Sequence, residues 1–173
     1  PADSPLQDMK GVADAMRADV GKVSISGGSA GGAEQILAGL LAKAVGANPA
    51  DVSYVAHSGG GEALSTLLSG RSTVGISGVS EISSQIKAGT VRALAVSSPE
   101  RLPALPDVPT LRESGLDVEL QNWRGVVAPK GTPAPIIAKL AKNIHAFQED
   151  PDVQRKLADG GLEALKETPE QFG

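Results

Sequence analysis

The sequence predicts an α/β fold with a mostly parallel sheet flanked by helices. Three observations carry this. A strand, a Gly/Ser-rich turn and a helix follow one another three times between residues 22 and 87. Strands alternating with helices of about 10–15 residues are the pattern of βαβ units and a parallel sheet. The strands are short and apolar, as in a sheet covered on both faces. From about residue 118 the character changes, which places a domain crossover near 118–130.

The elements follow in order. Residues 4–19 read as an amphipathic helix, with Ser4 as N-cap, Pro5 at the first helical position and Leu6, Met9, Val12, Ala13 and Met16 on one face. The first unit is the strand "KVSIS" (22–26), the turn Gly27-Gly28-Ser29-Ala30-Gly31-Gly32 and a helix over 33–45, with Ile36, Leu37, Leu40, Leu41 and Ala44 at helical spacing. The second is the strand "VSYVA" (52–56), the turn His57-Ser58-Gly59-Gly60-Gly61 and a helix near 61–69. The third is the strand "TVGIS" (73–77), the turn Gly78-Val79-Ser80 and a helix over 80–87. A fourth strand is expected at 91–96, then a proline-rich excursion and a short helix at about 109–114 that stops at Gly115. Beyond it the pattern predicts a strand near 118, a second at 124–128, and helices over 133–147 and 151–159. Thr168-Pro169-Glu170 opens one more helix. The chain begins Pro-Ala-Asp-Ser-Pro without Met and reads as a piece of something longer.

Composition narrows the function classes. Of 173 residues, 40% are hydrophobic but only 2% aromatic, so the core must be built from aliphatic side chains. The net charge is -4 and no basic stripe interleaved with aromatics occurs, which argues against nucleic acid as a partner. Cysteine is absent, which removes disulfides and thiolate chemistry. Two scattered histidines do not supply a metal site, and no cofactor motif is present: the glycines of the first turn lack dinucleotide-fingerprint spacing. No apolar run approaches the roughly 18 residues a membrane span needs, so direct membrane insertion is not expected.

The three turns are the candidate site. In a parallel sheet they share the C-terminal edge of the strands, where open α/β sheets place ligands. Each opens a helix, whose first turn presents unpaired N–H groups and partial positive charge. Glycine lets a ligand approach the backbone closely. Each helix end contributes about 0.3–1 kcal/mol to a nearby anion. The hydroxyls of Ser26, Ser29, Ser58, Ser77 and Ser80 add donors, and together these features predict a carboxylate ligand. The alternative is that the glycines serve only tight turns and close packing.

Gly27-Gly28-Ser29-Ala30-Gly31 also spells G-x-S-x-G, the nucleophile elbow of serine hydrolases. That reading makes Ser29 an esterase nucleophile. It is disfavoured because the oxyanion-like "HSGGG" follows the elbow instead of preceding it, and because the one late histidine, His145, lies inside an amphipathic helix.

Read as a whole, the segment 87–133 resembles the signature region of the receptors of tripartite tricarboxylate transporters, the Bug family. The resemblance is carried by Ala88-Gly89, Arg92–Val96, Arg101, Pro106–Leu111, Glu113, Gly115, Trp123, Gly125 and Ala128–Pro133. The Gly/Ser turn before "LAGLLAK", the "GGGEALSTLLSG" segment and "TPEQF" also fit, so it extends over essentially the whole chain. It implies a type II periplasmic binding fold, two lobes that close on a ligand. Residues 1–120 are then the second, cleft-forming lobe, and 121–173 the crossover and C-terminal part of an incomplete first lobe. It further implies a periplasmic receptor without catalysis or cofactor, which captures a small organic carboxylate and passes it to membrane transporter subunits. The ligand-binding set is Ser26, Gly27, Gly28, Ser29, Ala30, Gly31, Gly32, His57, Ser58, Gly59, Gly60, Ser77, Gly78, Ser80 and Trp123, the last either lining the cleft or anchoring the lobe junction. His57 and Ser58 depart from the family's frequent Tyr-Lys, removing a cation from the second turn.

Overall fold

The structure is a computed structural model and describes residues 1–172. The chain forms two compact units, Pro1–Asn122 and Trp123–Gly173.

The first unit is the α/β body. Its first helix, α1 (Met9–Ala18), starts later than expected, because Asp8 and not Ser4 caps it. The Asp8 carboxylate accepts from the Gly11 amide at 2.7 Å, whereas Ser4 closes a local turn with the Leu6 amide. Met9, Val12, Ala13 and Met16 form the buried face that the spacing predicts. A 3-10 turn capped by Asp19 occupies Val20–Lys22 and delays β1 to Ile25–Gly27. β1 lies between β2 (Tyr54–Ala56) and β3 (Val74–Gly75), all parallel, in the order β2-β1-β3. Ile25 pairs with both Tyr54 and Val74, which fixes the register of the whole edge.

The connecting helices are α2 (Ala33–Ala44), α3 (Gly60–Leu68) and α4 (Val79–Lys87). α2 buries Leu37, Ala38, Leu41 and Ala42, while Ile36 stays half exposed. The buried stripe is thus rotated from the expected one. Two fully buried alanines leave room for a close approach that bulkier side chains would block. α2 ends in a Schellman motif: Gly46 takes φ 82° and the Ala47 amide returns to the Ala42 carbonyl at 2.9 Å. The core joins α1, β1 and α2 to Val23, Leu111, Leu116 and Val118, and is aliphatic apart from its methionines.

The fourth strand is not formed. Residues 91–96 make only one parallel bridge, Val96 to Thr110, and their backbone partners come singly from Gln85, Pro109 and Leu111. The expected helix at 109–114 is a single turn. Thr110 and Glu113 bond reciprocally as a capping box, but Gly115 at φ 83° closes the turn at once. Arg101 ties down the proline-rich excursion, through Glu113 at 3.0 Å and the Pro106 carbonyl at 3.2 Å. The strands expected near 118 and at 124–128 are not formed either.

The second unit holds α5 (Ala134–Glu149), α6 (Pro151–Asp159) and α7 (Pro169–Phe172). Asp150 caps α6, accepting from the Asp152 and Val153 amides, with Pro151 at its first position. Thr168 and Gln171 form a reciprocal box at α7. No described helix is long and apolar enough to cross a membrane.

Candidate ligand-binding site

Because β1, β2 and β3 are parallel, their three exits lie along one edge of the sheet. The turn after β1 is held from the side by β2. The Tyr54 hydroxyl donates to the Gly28 carbonyl at 3.0 Å. The His57 amide reaches the carbonyls of Gly27 and Gly28 at 3.1 and 3.3 Å. The His57 ring places Nδ1 3.1 Å from the Gly27 carbonyl and Nε2 2.8 Å from the Thr66 hydroxyl on α3. A carbonyl only accepts, so Nδ1 carries a proton, and in the Nδ1–H tautomer Nε2 accepts from the Thr66 hydroxyl. Both ring nitrogens are therefore engaged within the chain. Burial, and behind it the Glu34 carboxylate, pushes the Tyr54 phenol up from its ordinary pKa.

Further along this turn the Gly31 amide donates to Gln35 Oε1 at 2.6 Å, and the Gly32 amide to the Ser29 carbonyl at 3.0 Å. Among the described residues, the amides of Gly28, Ser29 and Ala30 and the Ser29 hydroxyl meet no hydrogen-bond partner. They form a run of three consecutive free N–H groups.

The second and third turns differ. Ser58 donates to Glu62 through both amide and hydroxyl, at 3.2 and 3.0 Å. Ser77 Oγ donates to Glu81 at 2.5 Å and the Gly78 amide to the same oxygen at 3.1 Å. Both turns read Ser-Gly-x-x-Glu, and in both a first-turn glutamate takes donors that a ligand carboxylate would otherwise take. The Ser58 hydroxyl, and after it the Ser58 amide, hold the Glu62 carboxyl below the usual carboxylate range. The Glu81 carboxylate also lies over Gly60, where an added Cβ would fall 2.6 Å from either oxygen. At the first turn the corresponding position is Gln35, which accepts from the Gly31 amide, while the Glu34 carboxylate lies close to Gly28 and Gly32 without accepting a hydrogen bond from any described residue. The turns contain no Lys or Arg.

The structure thus sorts the expected site residues. Gly27, Gly28, Ser29, Ala30, Gly31 and Gly32 form the first turn. His57, Ser58, Gly59 and Gly60 form the second. Ser77, Gly78 and Ser80 belong to the third, where Ser80 is exposed and makes no hydrogen bond. Ser26 differs from the rest. It is fully buried, with its hydroxyl between the Ser72 hydroxyl at 3.0 Å and the Val74 carbonyl at 3.4 Å, so it serves the sheet interior. Trp123 belongs to the second unit, where it is exposed and meets Phe172 edge to face, centroids 5.4 Å apart. Sequence reasoning missed Glu62 and Glu81, although the repeated Ser-Gly-x-x-Glu was a visible cap signal, and it gave Tyr54 no role at the site. The elbow reading finds no geometric support: Ser29 Oγ has no bonded base, and no described residue other than Gly has positive φ.

Comparison with known proteins decides the family. Residues 1–172 match the model of the tripartite tricarboxylate transporter family receptor. The chain belongs to this receptor family. A protein from the tcbD-tcbE intergenic region of Pseudomonas sp. (strain P51) is 35% identical over 172 residues, which are 98% of this chain and 50% of that protein. The solved periplasmic binding protein BugD superposes with a TM-score of 0.82 at 31% identity, covering 99% of this chain and 57% of that one. MatC from Rhodopseudomonas palustris with bound malate gives 0.81 at 29% identity, with coverages of 99% and 57%. The fold is therefore that of a periplasmic binding protein, and the chain spans about half the length of the relatives it matches. The receptor's relatives include periplasmic binding proteins, at least one with a carboxylate ligand.

Proposed function

We propose that this receptor captures a small organic carboxylate in the periplasm, delivers it to the membrane subunits of a tripartite tricarboxylate transporter and performs no chemistry on it. The observation that carries the reading is the run of free amides at Gly28, Ser29 and Ala30, at the edge where α/β sheets receive ligands. A carboxylate accepts charge-assisted hydrogen bonds from such a turn without any cationic side chain. The malate bound to MatC supports the ligand class.

The geometry favours the first turn as the carboxylate's seat. The second turn also leaves the amides of Gly59, Gly60 and Gly61 without a partner among the described residues, but Glu62 and Glu81 take the Ser58 and Ser77 hydroxyls, whereas the Ser29 hydroxyl stays free beside its amides. In this reading residues 1–120 are the cleft-forming lobe, and 121–173 the crossover and C-terminal part of the other lobe.

Calorimetric titration of the longer receptor that contains this chain, with malate and with tricarboxylates, tests the proposal. Saturable one-site binding is expected. Absence of binding across C4–C6 di- and tricarboxylates overturns the ligand class. Labelling of Ser29 by a fluorophosphonate, lost in Ser29→Ala, overturns the reading without chemistry.

A further inference from the structure

We infer that Tyr54 and His57 are positioning residues that aim the free amides of the first turn, and that His57 does this without touching the ligand. The inference rests on the reading that this turn receives the ligand's carboxylate.

The argument starts from the peptide bond. A trans peptide is planar, so each carbonyl points opposite to the N–H of the next residue. Fixing the Gly27 carbonyl fixes the Gly28 amide, and fixing the Gly28 carbonyl fixes the Ser29 amide. Both carbonyls are fixed from one side. Gly27 accepts from His57 Nδ1 and from the His57 amide, and Gly28 from the Tyr54 hydroxyl. The amides of Gly28 and Ser29 therefore point away from β2, and these are two of the three N–H groups without a partner. A carbonyl that accepts a hydrogen bond also polarises its peptide group, which makes the attached N–H a stronger donor. Glycine at 27 and 28 leaves the backbone free to turn, so the orientation has to be imposed from outside. Tyr54 and His57 impose it.

His57 adds a second link. With Nδ1 on the first turn and Nε2 on Thr66, its ring joins the first turn to α3, the helix that opens at the second turn. Neither nitrogen is left for a ligand.

The test uses the longer receptor, with malate as probe. Tyr54→Phe and His57→Ala are each expected to weaken malate binding about 5- to 10-fold, the scale of one lost neutral hydrogen bond. His57→Asn is expected to restore most of the loss, because its side-chain N–H stands close to the position of Nδ1. Two readouts need no ligand. Nitrogen-15 spectra of the imidazole should show the Nδ1–H form. Backbone order parameters at 28–30 should fall in Tyr54→Phe and His57→Ala from about 0.85 toward 0.6, from rigid to flexible backbone, and recover in His57→Asn. Unchanged order parameters in both loss variants overturn the inference, even where binding falls, because a direct contact then explains the loss. An Nε2–H ring overturns the role of His57. If malate and the tricarboxylates fail to bind the unaltered receptor, the ligand proposal fails, and the positioning role is decided by the order parameters alone.

Discussion

Gly27 and Gly31 stand in one turn and are glycine for different reasons. Gly27 has no positive φ; its constraint is space. An added Cβ would collide with the Tyr54 hydroxyl and lie 3.0 Å from Glu34 Cβ. Gly31 has open space around it but holds φ 77°. Gly27→Ala is thus an overpacking change, expected to cost about 1–3 kcal/mol in denaturant unfolding. Combining it with Tyr54→Phe should recover part of that cost, since the hydroxyl it strikes is gone, and the two changes should be non-additive. Gly31→Ala should cost about 1–2 kcal/mol, the penalty of a left-handed backbone with a Cβ. Here Tyr54→Phe should bring no recovery. Equal responses of the two alanine variants to Tyr54→Phe would contradict this division.

At the scale of elements, the turns are held by carboxylates, and this gives stability a pH dependence. Glu62 lies below the ordinary carboxylate range because of the Ser58 hydroxyl and amide, and Glu113 because of Arg101 and then the Thr110 amide. A carboxyl with a depressed native pKa stabilises the fold above its unfolded-state value, about 4.3 for glutamate. That stabilisation is lost as pH falls through the native value. The melting temperature should therefore fall on acidification from about pH 5 downward. Glu62→Gln and Glu113→Gln should each melt lower at pH 7 and show a shallower acid slope. A slope unchanged in both variants would show that these caps do not set it. The same elements show what the sequence could reveal. The three strand–turn–helix units were legible because periodicity and turn chemistry are local. The strands expected at 91–96 and 124–128 were not formed, because a strand exists only with a partner in register, and "VRALAV" finds one bridge. The start of α1 was misplaced because Ser4 and Asp8 are both competent caps and the better hydrogen bond decided. The burial of Ser26 depends on Ser72, 46 residues away, which no local pattern displays.

For the whole molecule, the informative feature is what the second unit leaves uncovered. None of α5, α6 and α7 buries a residue, and Val126, Val127 and Phe147 are 74%, 83% and 63% exposed. Isolated surface apolar residues are ordinary, but a unit without a buried helix face is not. The relatives are about twice as long as this chain, and the proposed assignment of 121–173 to an otherwise absent lobe accounts for the exposure. In that reading the remainder of the lobe covers these side chains in the longer receptor. The 173-residue chain by itself should then self-associate with rising concentration, since apolar surface is removed from water at about 25 cal/mol per Å². Sedimentation velocity from about 1 to 100 μM reads this directly, a span over which binding of micromolar strength shows itself. Val127→Lys should shift the association to higher concentration, because a buried unpaired ammonium is costly. The longer receptor should sediment as one species over the same range. A 173-residue chain that stays monomeric throughout, with Val127→Lys indistinguishable from it, would mean that the exposed side chains are ordinary surface and that the lobe assignment needs a different basis.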